Sequence, residues 1–405
     1  METVSLLPPA MSRVPLLFAA LALASSACAQ PGSDAAPPAS TDAALPGTQA
    51  DEVATEAGNV AVVEVATGLA NPWGLAFLPD GRLLVTERGG GLRIVGTDGT
   101  VSDPVPGTPD TYAQRQGGLL DVALAPDFET SGYVYLAYAR PGPDATSATA
   151  LGRGVLENDS LKNFEVLFTQ EPWFANGLHF GGRIAFSPDG QHVFLSTGER
   201  FQFDPAQDLS NHLGTLVRLN LDGSVPEDNP FVSQEGARPE IWSYGHRNVQ
   251  SLAFHPETGE LWEAEYGPLG GDELNRITPG ANYGWPVVSW GDNYDGSTIP
   301  DPPTRPEFTD AVRHWSPVIS PSGMSFYTAD VFPEWTGSLF ISALSQQGLV
   351  RLALDGNEVT HEEMIPLGVR IRDVTPGPDG HLYVATDQGD GSIWRLSPMG
   401  TPAAE

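Results

Sequence analysis

Short apolar runs alternate with turn residues from about residue 60 almost to the end of the chain. In Trp73-Gly74-Leu75-Ala76-Phe77-Leu78-Pro79-Asp80-Gly81-Arg82-Leu83-Leu84-Val85-Thr86, two such runs flank Pro79-Asp80-Gly81. Runs this short, bounded by turn residues, predict β-strands. Proline presets the turn backbone, aspartate bonds back to it, and glycine takes the positive-φ position. The unit returns at Leu120–Leu136, at Arg183–Ser196, at Ser251–Ala264, in divergent form at Gly323–Ser342, and at Arg372–Ala385. Third strands follow in places, as in Leu216-Val217-Arg218-Leu219 and Leu349-Val350-Arg351-Leu352. Six copies of a β-meander predict an all-β, six-bladed propeller. A pair of β-sandwiches accounts for the periodicity less well. Val60-Ala61-Val62-Val63-Glu64-Val65 is expected to supply a strand to the last blade and close the ring.

Composition agrees: 45 glycines and 37 prolines suit a turn-rich β protein of 405 residues. The formal net charge of −31 excludes nucleic acid and anionic membrane as main partners. The single cysteine, Cys28, excludes an intrachain disulfide. Met11-Ser12-Arg13, the apolar run Val14–Ala24 and the small residues before Cys28 read as an export signal, with Met11 a plausible start. The run is too short to span a bilayer. Cys28 after small residues is similar to a lipoprotein box, with Ser25 where leucine is usual. Plain secretion, periplasmic or to the cell surface, and lipid anchoring through Cys28 share this signal. The organisation is therefore a signal over 1–28, an Ala/Pro/Ser/Asp-rich disordered tether over 29–58 and a propeller over 59–400.

Common catalytic motifs are absent: there is no Walker-type loop, no His-Glu-x-x-His, no Gly-x-Ser-x-Gly and no cysteine nucleophile. Asp292-Asn293-Tyr294-Asp295-Gly296 has too few ligands at calcium-loop spacing and reads as a turn. Four clusters precede repeat copies and so belong on one loop face: Gln116-Gly117-Gly118, His179, His246-Arg247-Asn248 and Arg370-Ile371-Arg372. A histidine at such a mouth suits proton transfer near neutral pH. Arg370 and Arg372 point the same way on an extended segment and suit a multi-carboxylate ligand. A fifth cluster, Glu265 to Asn275 with Asn282-Tyr283-Gly284-Trp285-Pro286 following, offers hard oxygen donors that suit calcium. Two ordinary turns with a stacked Trp285 would carry the same residues.

Asn71-Pro72-Trp73-Gly74-Leu75, Gln116-Gly117-Gly118-Leu119-Leu120, Gly245-His246-Arg247-Asn248, Tyr266-Gly267-Pro268, Asn282–Pro286 and Arg370–Val374 occur in this order. Together they make the chain resemble the soluble pyrroloquinoline-quinone (PQQ) dependent sugar dehydrogenases, in their aldose sugar dehydrogenase branch, over residues 60–398. The resemblance implies His179 as catalytic base and Arg247 beside the reacting oxygen. It implies Gln116, Arg247, Asn248, Arg370 and Arg372 as cofactor contacts, with Trp315 as an aromatic cover. Gly267 and Pro268 are implied as carbonyl ligands of the calcium on the cofactor, and Glu273 and Tyr283 as ligands of a second, structural calcium. Glu199 stands where glucose-specific relatives tend to carry an aspartate near the sugar. One departure is the lack of a lysine in Ser342-Ala343-Leu344-Ser345-Gln346, where some members place one against the cofactor. The implied activity is oxidation of aldoses to lactones, with electrons passing to an external acceptor. A propeller that only binds a ligand or protein, and a calcium-dependent lactonase, are the alternatives, because fold alone does not choose among them.

Overall fold

Six antiparallel sheets follow one another around a closed ring. The computed structural model describes residues 44–299 and 303–399. Each sheet opens with an innermost strand: Pro72–Phe77, Leu119–Leu124, Gly181–Phe186, Val249–Phe254, Pro321–Phe326 and Ile371–Pro376. Each of these touches the corresponding strand of the next sheet, and the sixth touches the first. The protein is the six-bladed β-propeller that the repeats predict. The Pro-Asp-Gly turns are built as their residue types require. Gly81, Gly190 and Gly380 all have positive φ, and Asp80, Asp189 and Asp379 accept a backbone N–H two residues on.

The hydrophobic cores lie between blades rather than within them. One core joins the first and second blades through Leu84, Leu119 and Leu136, and another joins the fourth and fifth through Trp262, Leu274 and Ile341. The ring is closed by Gly58–Leu69, which pairs antiparallel with Gly391–Pro398 from the far end of the chain. Val62 lies opposite Leu396, and both are buried in the core against the fifth blade. Burying such a side chain stabilises the closed ring by about 1.5–3 kcal/mol.

The tether boundary needs correction. Thr48–Thr55 forms a further, outermost strand on the last blade, paired with Gly58–Leu69. Val53 is buried there, and Leu45 is buried further along, its N–H bonded to the Tyr383 hydroxyl at 3.2 Å. Thr48–Thr55 faces polar residues outward, so its sequence looks tether-like although every second backbone group has a partner strand. The signal over 1–28 and Cys28 lie outside the described residues, as does the tether up to residue 43.

Every innermost strand carries a register shift near its start, between Pro72 and Leu75, Leu119 and Val122, Gly181 and Ile184, Val249 and Ser251, Pro321 and Met324, and Ile371 and Asp373. A bulge re-aims side chains where it occurs. Here it lets two successive residues of one strand serve the axis. Trp73, Leu120, Gln250 and Arg372 line a cavity at one end. Asp121 and Asp373, next after Leu120 and Arg372, meet Arg183 of the third blade in a second cavity on the axis. Arg183 Nη1 lies 3.1 Å from both Asp121 and Asp373. Gly74 and Gly323 leave room for these carboxylates, because a Cβ on either would collide with Asp121 or Asp373. Burial pushes Asp373 up to about 7 against the pull of Arg183.

Candidate active site

Two sets of loops surround the cavity at the end where the innermost strands begin. One set leads into those strands and carries Asn71, Gln116, Asn248, Ser320 and Arg370. The other joins the second and third strands of a blade and carries Arg88, Tyr266, Leu344 and Asp387. The cavity has a volume of about 390 Å³. A long insertion of the fourth blade, between Asp272–Ile277 and Arg313–Trp315, also climbs to this face. Asn282 bridges Tyr244 in parallel, and Trp285 N–H bonds to the Gly245 carbonyl at 2.8 Å.

His179 occupies the turn before Gly181–Phe186, with φ of 46°. Its backbone N–H donates to Gln116 Oε1 at 2.8 Å. Its Nδ1 lies 2.5 Å from Glu199 Oε1. A carboxylate only accepts, so Nδ1 carries the proton and Nε2 keeps its lone pair. The second oxygen of Glu199 accepts the backbone N–H groups of Gln202 and Phe203. Glu199 therefore fixes both the imidazole and the turn beside it. Phe201 closes over the imidazole edge-on, with ring centroids 5.2 Å apart. Burial holds the His179 pKa below the ordinary histidine value, although the Glu199 hydrogen bond opposes this. A neutral base at pH 7 results.

The cavity wall is cationic. Arg370 Nη2 and Arg372 Nη2 both reach Asp387 Oδ2, at 2.8 and 3.1 Å. One carboxylate thus serves two guanidinium groups, and Arg88 adds a third. Arg372 Nε is buried without a partner. A buried donor without a partner costs about 1–3 kcal/mol, which an anionic ligand would recover. Multi-carboxylate PQQ fits this wall. Leu344 lines the cavity in the segment whose lack of a lysine departs from the resemblance, and Arg88 supplies charge from the first blade, two blades away around the ring. Trp315 does not cover this cavity, which corrects the expectation. It lies on the outer strand of the fourth blade, in the core shared with the fifth, and its Nε1 donates to Glu362 at 3.1 Å. The aromatics that line the cavity are Phe180, Tyr266 and Trp73, the last with its ring 4.0 Å from the Arg183 guanidinium. The signal for Trp73 in the sequence was its place two residues before Leu75 in the first repeat, the place Arg372 holds before Val374 in the last.

Arg247 and Asn248 are held by Glu265, whose Oε2 accepts both backbone N–H groups, at 2.5 and 3.1 Å. Arg247 Nη1 donates to the carbonyls of Tyr266 and Gly267, at 3.1 and 3.0 Å. Those carbonyls therefore face the site, with Pro268 next to them on the wall of an adjoining cavity. Behind them, Glu263 and Glu265 lie buried with His246, and the half-buried Glu273 stands opposite Glu265 on the neighbouring strand. Against burial, His246 is held at about 9 by hydrogen bonds to Glu263 and Glu265. Burial pushes Glu263 up to about 7, and burial with the Glu265 charge pushes Glu273 well above the carboxylate range. Glu263 Oε2 and Asn275 Oδ1 have no partner. Three carboxylates against one imidazole, with orphaned oxygens, fit a hard cation. A hollow of about 10 Å³ beside Glu265, Gly267, Glu273 and Tyr283 has room for one water-sized ion. The Tyr283 hydroxyl is committed to Arg276 O and Thr278 N–H, so only its backbone carbonyl is free to serve such an ion.

On this propeller, a neutral histidine adjoins, through Gln116 and Phe180, a cavity walled by three guanidinium groups. The sequence matches the glucose/sorbosone dehydrogenase family over residues 69–395. It is 45% identical to the aldose sugar dehydrogenase YliI of Escherichia coli K12 over 349 residues, 84% of this chain and 93% of that protein. The crystal structure of the soluble E. coli aldose sugar dehydrogenase in its apo form superposes with a TM-score of 0.81 at 44% identity, over 84% of this chain and 100% of that one. The PQQ-bound aldose sugar dehydrogenase of Streptomyces coelicolor superposes with a TM-score of 0.69 at 30% identity, over 86% and 99%. This chain belongs to the glucose/sorbosone dehydrogenase family.

Proposed function

We propose that the protein oxidises the anomeric carbon of aldose sugars to a lactone with PQQ as cofactor. The observation that carries this reading is the neutral, Glu199-held His179 beside a cavity walled by Arg88, Arg370 and Arg372. When bound, PQQ would supply the hydride acceptor, and the Gly267 and Pro268 carbonyls would hold a calcium that polarises it. The residues of the chain do the rest. His179 Nε2 takes the proton of the anomeric hydroxyl while the C1–H bond is lost as hydride, leaving a C1 carbonyl. Glu199 stabilises the imidazolium that forms. Arg247 places positive charge beside the oxygen that develops carbonyl character. Gln116 holds the His179 backbone, and Glu265 holds Arg247 and Asn248. Glu273 and the Tyr283 carbonyl would hold a second calcium that ties the insertion of the fourth blade to its third strand.

A lactonase needs carboxylates free to ligate a metal at the axis. The axial carboxylates Asp121 and Asp373 are instead shared by Arg183, which favours the dehydrogenase. The signal over 1–28 adds export to this proposal, with an acceptor met outside the cytoplasm. The test adds PQQ and calcium to the apoprotein and follows dye reduction with a panel of aldoses. Reduction by no aldose would overturn the reading.

A further inference from the structure

We infer that the cavity between Phe201, Phe203 and Tyr294 is a second saccharide subsite, taking the sugar ring next to the one being oxidised. This rests on the dehydrogenase reading and names the part of the substrate that reading leaves open. The cavity has a volume of about 260 Å³ and lies outward of the base. Phe201, edge-on to His179, is its inner wall, and Arg247 and Pro268 are shared with the reaction site. The aromatic surface continues from Phe201 to Phe203 and on to Trp285, at centroid distances of 5.1 and 5.7 Å.

Tyr294 also lines the cavity and is 63% exposed. Its hydroxyl accepts from Arg247 Nη2 at 3.1 Å. Its backbone is fixed although its ring is open to solvent. Leu269 and Asp292 exchange two backbone hydrogen bonds, at 2.9 and 3.0 Å, and Asn293 N–H closes onto the Ser297 carbonyl at 2.8 Å. Asp295 Oδ1 accepts both the N–H and the hydroxyl of Ser297, which makes the segment a tied turn and not a cation loop. Asn293, Asp295 and Ser297 face the same cavity. A fixed aromatic pair with amide, carboxylate and hydroxyl groups at its edge matches a pyranose, which has apolar C–H faces and a rim of hydroxyls. The carboxylate and the acidic chain disfavour an anionic occupant. The ring being oxidised must lie against His179 Nε2 and the cationic cavity. A ring in this outer cavity is therefore the next one along the saccharide.

The test compares kcat/KM for maltose and for glucose on holoprotein with a dye acceptor. Tyr294→Ala is expected to lower the maltose-to-glucose ratio about 3- to 10-fold, the range of one lost aromatic contact. Tyr294→Phe keeps the ring and drops the bond to Arg247, so its ratio should stay within about twofold of the parent. Equal losses for both sugars in Tyr294→Ala, or a ratio in Tyr294→Phe as low as in Tyr294→Ala, would overturn the subsite. Glucose turnover by the parent reports separately on the dehydrogenase reading. Should the parent oxidise no sugar, calorimetric titration with maltose decides the subsite alone. Weaker binding by Tyr294→Ala supports it, and equal or no binding by parent and variant overturns it.

Discussion

His179 is held by three neighbours, and each makes a different contribution. Glu199 sets the tautomer, Gln116 the backbone and Phe201 the burial. His179→Ala should therefore lower aldose turnover by at least about 100-fold while cofactor affinity, read by titration, stays near that of the parent. Burial keeps the imidazole pKa below its ordinary value, so kcat/KM should fall only as pH drops below about 6.5, when the base takes up a proton. Glu199→Gln removes the charge that favours the imidazolium. Its acid limb should move to still lower pH, with a reduced plateau, and a limb that moves upward would contradict this arrangement. Arg372→Ala should weaken PQQ binding by roughly 1.5–3 kcal/mol, the worth of a charged hydrogen bond, with the fold intact. Fluorescence titration of the apoprotein measures it. Gln116, Asn248 and Arg370 were legible because each precedes a repeat copy, and a propeller puts such positions at one mouth. Arg88 and Asp387 lie between second and third strands, where the repeat is most variable, and nothing local distinguishes them from solvated turn residues. Trp315 shows the opposite error: an aromatic near the right motifs that core packing claims instead.

Strands and turns were legible to the extent that local chemistry determined them. Pro79-Asp80-Gly81 and its counterparts specify their turns within three residues, so they could be read directly. Thr48–Thr55 was not legible, since an outermost strand needs apolar residues on one face only and here shows few. The register shifts were equally hidden, because a bulge changes where side chains point without changing which residues are present. The fourth blade's third strand raises a sharper question, because Glu273 and Glu265 sit opposite each other on neighbouring strands. Like charges in that position destabilise a sheet unless something lies between them. Calcium that binds only the folded protein would add stability by mass action. Chelator should therefore lower the melting temperature of the parent apoprotein, and Glu273→Gln should lose most of that sensitivity. Equal sensitivity in both, or none in the parent, would remove the structural calcium.

At the scale of the whole molecule, the ring depends on a single seam between its two ends. Leu396→Ala should cost about 2–5 kcal/mol in urea unfolding, as deletion of a fully buried leucine does. Because each core is shared by two blades, the loss should appear as one cooperative transition and not as release of the last blade alone. The seam also sets an order of events in synthesis. His179 comes from the third blade, Arg370 and Arg372 from the sixth, and the strand that locks them into one circle is Gly391–Pro398. Until the last few residues are available, Gly58–Leu69 has no partner besides Thr48–Thr55, and the cationic wall does not face the base. A chain still being made would thus be unable to take up the proposed cofactor. Loading becomes a late step that only finished molecules can perform. A protein truncated before residue 391 should leave PQQ unbound in equilibrium dialysis even though every residue that lines the cavity is present.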